Sequence, residues 1–322
     1  MREQIEGFSD LSILVLGDVM LDRFLWGNVD RISPEAPVPV VRVEKEEYFP
    51  GGAANVARNL TPFAKDVFVC GLIGLDADGD TLQQCLVNAG AICDSMVRDR
   101  DFHTICKTRV IARQQQVVRI DREKRRALTD EQVQGIVSMV EGMVGQLDAI
   151  ILEDYAKGFL DERLVGPITR IASEAGIIVT VDPNPLNPLP YHGVTSVKPN
   201  RKEAFEIAGV IDEDPGANPL EDKALLEVGT RLQKIWDTPN VLVTLGEQGM
   251  ILFTRDEDPF HIPTQAKEVF DVSGAGDTAI ALLTLSLAAG HTAKQAANIA
   301  NQASSRVVGK LGTATVTPED FE

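Results

Sequence analysis

Short apolar runs recur along the chain, each closed by a polar or glycine-rich break and followed by a stretch with helical spacing of apolar positions. Leu11 to Leu16, ending in Gly17-Asp18, predicts a buried first strand. Val67–Cys70, Ala149–Leu152, Ile177–Val181, Ser196–Lys198 and Val241–Leu245 predict further buried strands. Between them, residues 53–62, 78–89, 130–146, 161–174, 201–208 and 221–236 read as helices. Ala266–Phe270 reads as a short β-run, and the apolar stretch Thr278–Ala289 as a buried helix, since it is too long for one strand and holds no breaker. Repeated strand–helix alternation predicts a mostly parallel sheet with helices on both faces. Ligands of such sheets bind beyond the carboxyl ends of the strands. Asp18, Glu153-Asp154, Asp182 and Asn200 all follow strand ends and are expected to converge there.

Two segments break the alternation. Val38–Val43 and Thr104–Ile120 are β-rich, and no helix separates them from their neighbours. They are expected to pair into a small separate sheet, within lid segments of about residues 19–48 and 100–122. A small sheet with one apolar face needs cover. It either lies over the site as a lid or packs on a second subunit. Val210–Pro219 is an acidic loop, and the whole chain, 1–322, reads as one domain carrying a lid.

At 322 residues and 44% apolar, the chain can bury a large core without disulfides. Cys70, Cys85, Cys93 and Cys106 form no Cys-x-x-Cys pair and have no zinc-like His spacing, so they read as reduced thiols of a cytoplasmic protein. No apolar stretch reaches the roughly 20 residues that span a bilayer. The net charge of −17 disfavours nonspecific partnership with nucleic acid or an acidic membrane. It also requires any anionic substrate to find a local basic patch. The segment Lys107 to Arg126, which includes Arg109, Arg113, Arg119 and Arg122, supplies one, although a solvated strand face fits the same charge pattern.

Residues 271–278, Asp-Val-Ser-Gly-Ala-Gly-Asp-Thr, are the most informative stretch. Gly274 and Gly276 allow a tight turn at the start of the apolar helix, whose first amides lack intrahelical partners. Those donors and the helix dipole make a cradle for a phosphate or oxyanion. Asp277 at its edge can take a proton from an attacking hydroxyl. An anion hole beside a base suits phosphoryl transfer to an alcohol. A plain helix cap also accounts for two glycines and an acid.

Pro50-Gly51-Gly52-Ala53-Ala54-Asn55 is a second constellation: a glycine pair lets the backbone approach a ligand, and Asn55 can donate to and accept from sugar hydroxyls. In Asn200-Arg201-Lys202-Glu203, an amide and a carboxylate one turn apart can order water around Mg²⁺, or simply cap a helix. Val243 to Met250 is a strand, a glycine turn and the start of another strand.

Segments 271–278 and 50–57, in that family's order, resemble the two signatures of the ribokinase-like (PfkB) carbohydrate kinases. The resemblance implies an α/β ribokinase-like fold with a β-sheet lid and ATP-dependent phosphorylation of a sugar. It makes Gly274, Ala275 and Gly276 the phosphate cradle and Asp277 the catalytic base. Gly51, Gly52 and Asn55 would hold the sugar, and Thr244 and Gly246 would lie near the ATP phosphates, with Gly249 allowing close approach. Asn200 and Glu203 would serve phosphate and Mg²⁺, and Asp271 the metal or a monovalent cation such as K⁺. The stretches 17–23, 31–40, 107–121, 154–158 and 309–313 look like the kinase half of bacterial heptose-phosphate enzymes. That resemblance places Asp18, Asp22, Asp154 and Lys157 on the acceptor side, with Lys107 and Arg109 for a distal phosphate. It implies D-glycero-β-D-manno-heptose 7-phosphate as acceptor and a homodimer joined through the lid sheet. After Asp182-Pro183 the chain departs from that pattern, reading Asn184-Pro185-Leu186-Asn187-Pro188 instead of a Lys-Gly continuation. Another sugar phosphate, a nucleoside, or a catalytically silent sensor on the same fold stays open.

Overall fold

The computed structural model describes residues 5–113, 115–213, 216–265, 273–309 and 314–321. In chain order the strands and helices are β1 (Ser12–Gly17), β2 (Val19–Ile32), β3 (Pro39–Gly52), α1 (Ala53–Leu60), β4 (Asp66–Cys70), β5 (Leu72–Gly74), α2 (Ala77–Asn88), β6 (Val97–Asp99), β7 (Cys106–Ala112) and β8 (Gln115–Arg122). They continue with α3 (Asp130–Met143), β9 (Ala149–Glu153), α4 (Glu162–Ala175), β10 (Ile178–Asp182), β11 (Ser196–Val197), α5 (Arg201–Ala208) and α6 (Lys223–Trp236). Last come β12 (Asn240–Thr244), β13 (Met250–Thr254), β14 (Phe260–Ile262), α7 (Ala275–Ala288) and α8 (Ala293–Val307).

The main sheet runs β14-β13-β12-β11-β10-β9-β1-β4. Its strands from β12 to β4 are parallel, while β13 and β14 turn back antiparallel at one edge. Strands buried on both faces carry unbroken apolar runs, as β1 and β9 do. Alternate side chains go to opposite cores. Leu14, Leu16, Ile150, Leu152, Val179 and Val181 pack with α3, α4, α5 and α6. Ile13, Val15, Val67, Val69, Ala149 and Ile151 pack with α1, α7 and α8. The expected parallel sheet covered by helices on both faces is therefore present.

Helix α7 is buried on every side from Asp277 to Ser286, as its unbroken apolar sequence predicts. Its polar members are satisfied locally: Thr284 Oγ1 bonds the Ile280 carbonyl and meets Thr180 Oγ1 at 2.6 Å, and Ser286 Oγ bonds the Leu282 carbonyl. Helix α8 lies outside the sequence expectation. It packs alanines, Ala296, Ala297, Ala300 and Ala303, rather than large apolar groups, so its periodicity is weak.

The lid is a four-stranded sheet, β3-β2-β7-β8. The strand that joins the two β-rich segments is β2, antiparallel to β3 and parallel to β7. Thr104–Ile120 divides into β7 and β8 at a turn where Arg113 adopts φ 47°. Strand β2 starts in the core, where Val19, Met20 and Leu21 are buried, and runs out toward solvent; antiparallel β3 returns from exposed Pro39 to buried Gly51 and Gly52. Arg23 on β2 (2.5 Å) and Arg122 on β8 both pair with the buried Asp78 of α2, anchoring the lid to the body. Ala266–Phe270, Asp271 and residues 310–313 fall outside the described residues.

Candidate active site

At the carboxyl edge of the main sheet, the first turn of α7 meets α1. Gly274 is the N-cap of α7, with φ 81°, a conformation that side chains rarely adopt. A Cβ there would stand 3.0 Å from Asn55 Nδ2, close enough to press on the amide that holds Asp277. The amides of Ala275, Gly276 and Asp277 precede the first intrahelical donor, Thr278, and Gly274 offers no side chain to cap them.

Asp277 is buried beneath this turn, and both its oxygens accept hydrogen bonds. Asn55 Nδ2 donates to Oδ2 at 2.6 Å and the Tyr155 hydroxyl to Oδ1 at 3.0 Å. Because Asn55 Nδ2 must face the carboxylate as donor, its Oδ1 points away, buried and without a partner among the described residues. A buried acceptor in that state calls for a donor, and a sugar hydroxyl is one. Asn59 and Thr278 brace the contact: Thr278 Oγ1 donates to Asn59 Oδ1, and Asn59 Nδ2 to the Asn55 carbonyl. Burial raises the pKa of Asp277, and the bonds from Asn55 and Tyr155 and the Lys198 ammonium pull it back down.

Below the cradle lies a buried charge cluster. Lys198 Nζ stands 2.6 Å from Asp182 Oδ2 and would meet a Cβ on Gly276 at 3.6 Å. Burial pushes Asp182 up to about 7 despite the ammonium beside it. Glu153 is raised well above the carboxylate range by burial and by the charges of Asp182 and Asp277, and its Oε2 has no partner among the described residues. Lys198 stays charged because Asp182, Glu153 and Glu203 surround it, which outweighs its desolvation. The convergence expected of Glu153 and Asp182 is therefore real, but the cation that makes it tolerable was not assigned from sequence. The available signal was a lysine directly after a buried strand.

The acceptor-side residues divide by what they touch. Gly52 ends β3 at φ 58°, where a Cβ would stand 2.5 Å from the Asp18 carbonyl. Gly51 leaves room for Asp22, whose Oδ2 would stand 2.6 Å from an added Cβ. Asp18 spends its carboxylate on the backbone amides of Tyr155, Lys157 and Phe159. Asp154, raised to about 6 by burial, accepts from the Ala156 amide, Asn187 Nδ2 and the Tyr191 hydroxyl. The departing loop at 184–188 thus returns to the site through Asn187. Asp22 is paired with Arg109, which stacks on Phe24, and Lys157 Nζ with Glu123 at 2.9 Å. Lys107 stands opposite Asp22 in the β2–β7 register, on the face that carries Arg109, and makes no ion pair among the described residues.

On the other side, Asn200 and Glu203 form a reciprocal helix cap. Asn200 Oδ1 accepts from the Glu203 amide at 3.0 Å, and Glu203 Oε2 from the Asn200 amide at 2.8 Å. Glu203 Oε1 accepts no hydrogen bond among the described residues. No cluster of three metal-binding side chains exists among the described residues. Mg²⁺ keeps waters and phosphate oxygens and needs only one or two carboxylates, so the donors present fit a nucleotide-bound ion. Thr244 ends β12 beside Asn200, its amide bonding the Pro199 carbonyl. Gly246 takes φ 60° and Gly249 φ 86°; the group packed against Gly249 is the Ile262 carbonyl of β14. Asp271 lies outside the described residues.

A mostly parallel sheet flanked by helices, with a separate β-sheet beside the buried Asp277, defines an α/β fold of the ribokinase-like kind. The structure resembles Arabidopsis thaliana ribokinase complexed with ribose and ATP (TM-score 0.73, 18% identity, 97% of each chain). It is equally similar to Escherichia coli phosphofructokinase-2 in complex with potassium (TM-score 0.75, 18% identity, 97% of this chain and 96% of that one). The chain belongs to the pfkB family of carbohydrate kinases, whose profile matches residues 10–320. Membership makes it a carbohydrate kinase. The bifunctional protein HldE of Desulfatibacillum aliphaticivorans is 44% identical over 316 residues, 98% of this chain and 63% of the relative. The chain thus spans less than two thirds of that relative's length. No helix among the described residues is long and apolar enough to cross a membrane.

Proposed function

We propose that this kinase phosphorylates the anomeric hydroxyl of D-glycero-β-D-manno-heptose 7-phosphate. The observation that carries the reading is Asp277, held at the first turn of α7 beside the amides of Ala275 and Gly276, with the open Oδ1 of Asn55 next to it. The HldE relatives support the heptose route. Lys107, without an ion pair among the described residues and on the lid face that carries Asp22, suits an acceptor with a distal phosphate.

The acceptor hydroxyl gives its proton to Asp277 as its oxygen attacks the terminal phosphorus of ATP, and the bond from that phosphorus to ADP breaks. The amides of Ala275, Gly276 and Asp277 stabilise the charge of the transferring group. Asn200 and Thr244, bridged at neighbouring strand ends, would serve the nucleotide together with Gly246. Bound Mg²⁺ would neutralise phosphate charge, with Glu203 Oε1 holding one of its waters. A monovalent cation near Asp271 has its support in the potassium complex of the phosphofructokinase neighbour.

ADP release with ATP, Mg²⁺ and a panel of sugar phosphates and nucleosides tests the substrate. The heptose 7-phosphate is expected to be turned over with the highest kcat/KM. A better acceptor on the panel overturns the assignment, and ATP binding without acceptor-dependent ADP release indicates a sensor.

A further inference from the structure

We propose that Tyr155 is a positioning residue for the catalytic carboxylate: its hydroxyl, presented by a loop hung on Asp18, fixes how Asp277 faces the cradle. This rests on the reading of Asp277 as the base. The loop Asp154-Tyr155-Ala156-Lys157-Gly158 follows β9 and holds unusual backbone, with Ala156 at φ 56° and Gly158 at φ 105°. Such conformations persist where the surroundings impose them. Here Asp18 imposes them, accepting from the amides of Tyr155 (3.0 Å), Lys157 (2.9 Å) and Phe159 (3.1 Å). Asp154 adds a fourth bond, to the Ala156 amide at 2.7 Å. The Tyr155 ring lies against Gly52, where an added Cβ would stand 3.4 Å from its Cδ2. Its hydroxyl ends on Asp277 Oδ1.

This arrangement gives Asp18 a task beyond touching sugar, since its carboxylate acts on the base through Tyr155. It also uses both Asp277 oxygens in the resting site, Oδ2 to Asn55 and Oδ1 to Tyr155, so the carboxylate cannot rotate. Each oxygen keeps a second lone pair for the acceptor hydroxyl. Tyr155 itself stays protonated, raised well above its ordinary value by burial and by the neighbouring charge of Asp277. The charged groups that face Asp277 are Lys198, Asp22, Glu153 and Asp182, from the strands and loops packed against it. Of these only Lys198 favours the ionised base. Losing the tyrosine donor therefore moves the Asp277 titration to higher pH.

The test replaces Tyr155 by Phe, keeping the ring against Gly52. Protein carrying ¹³C at the aspartate carboxyl, with Asp277 assigned through Asp277→Asn, is titrated by NMR alongside steady-state kinetics. The midpoint of Asp277 in Tyr155→Phe is expected to rise by about one pH unit. The acid limb of kcat should move with it, kcat should fall roughly tenfold, and the acceptor KM should hold. An unmoved titration midpoint overturns the proposal, as does a variant that raises only KM. The NMR arm needs no acceptor, so it decides the point even where heptose 7-phosphate is not turned over, which would defeat only the substrate assignment. Should Asp277→Asn leave turnover intact, the reading of the base fails separately, whatever the titration gives.

Discussion

Asp277 and Lys198 illustrate how one buried pocket sets opposite demands on a carboxylate and an ammonium. As the proposed base, Asp277 would have to be ionised to accept a proton, although burial favours its neutral form. Asp277→Asn keeps the shape and one hydrogen-bond acceptor, so ATP affinity should stay within a few-fold while kcat drops by about 10² or more. A variant holding half the parental kcat would remove Asp277 from the role. Lys198 stands within a ring of acids, and its loss leaves them uncompensated. Lys198→Met should cost about 3–5 kcal/mol in urea unfolding near neutral pH. The deficit should shrink in acid. Asp182 binds its proton more tightly folded than unfolded, so the folded state is favoured below the ordinary carboxylate range, and that advantage is lost as pH rises through about 7. Without the ammonium the folded pKa rises further, extending the loss to higher pH. A deficit independent of pH would mean that the lysine serves packing alone. Lys107→Ala should raise the acceptor KM about ten- to a hundredfold and leave that of ATP unchanged, given the worth of a hydrogen bond to a charged group. Equal effects on both substrates would return the basic run to a structural role.

At the scale of elements, glycines separate local conformation from close approach. Gly176 caps α4 in the left-handed region with open space around it, whereas Gly52 adds collisions with the Asp18 carbonyl and Met20. Gly176→Ala should therefore cost only about 1 kcal/mol. Gly52→Ala should cost distinctly more and impair acceptor binding, because the displaced turn carries Asn55. Urea unfolding of the two variants side by side checks the order, and equal losses would refute the packing argument. The same contrast explains what the sequence discloses. Apolar runs place the parallel strands within a residue or two, because strands buried on both faces have nothing polar to hide. Gly-Ala-Gly-Asp and Gly-Gly…Asn mark their turns because those conformations admit few other residues. Helix α8 escapes because alanine packing leaves no strong period, although Thr292 and Gln295 carry its capping box. Strand β2 escapes because half its length is only partly buried and mixes apolar with polar residues, and its partner β7 is far away in sequence. Lys198, Tyr155 and the true partners of Asp18 escape for a third reason. Their roles exist only once β9, β10, α1 and α7 meet.

For the whole molecule, the open question is what covers the lid. Ile32, Val38, Val43, Val118 and Ile120 of its segments are exposed, Ile32 and Ile120 more than half. An exposed sheet with apolar side chains and free edges invites pairing with another surface. Arg23 and Arg122 fasten one part of the sheet to Asp78 of α2, so the lid is not free to fold wholly over the site and hide these residues. A second copy of the same sheet would cover them symmetrically, since a two-fold contact presents the same patch from both sides. We therefore expect a homodimer joined lid to lid, with each lid over its own site. Light scattering at micromolar concentration without ligand should give twice the 35.0 kDa mass of the chain. Ile120→Glu together with Val118→Glu should bring the mass back to one chain. Because β8 forms the lid edge beside the strand bearing Lys107 and Arg109, the same pair should weaken acceptor binding more than ATP binding. A single-chain mass for the parent protein would contradict the dimer. A charged variant that stays at double mass would move the contact to another face.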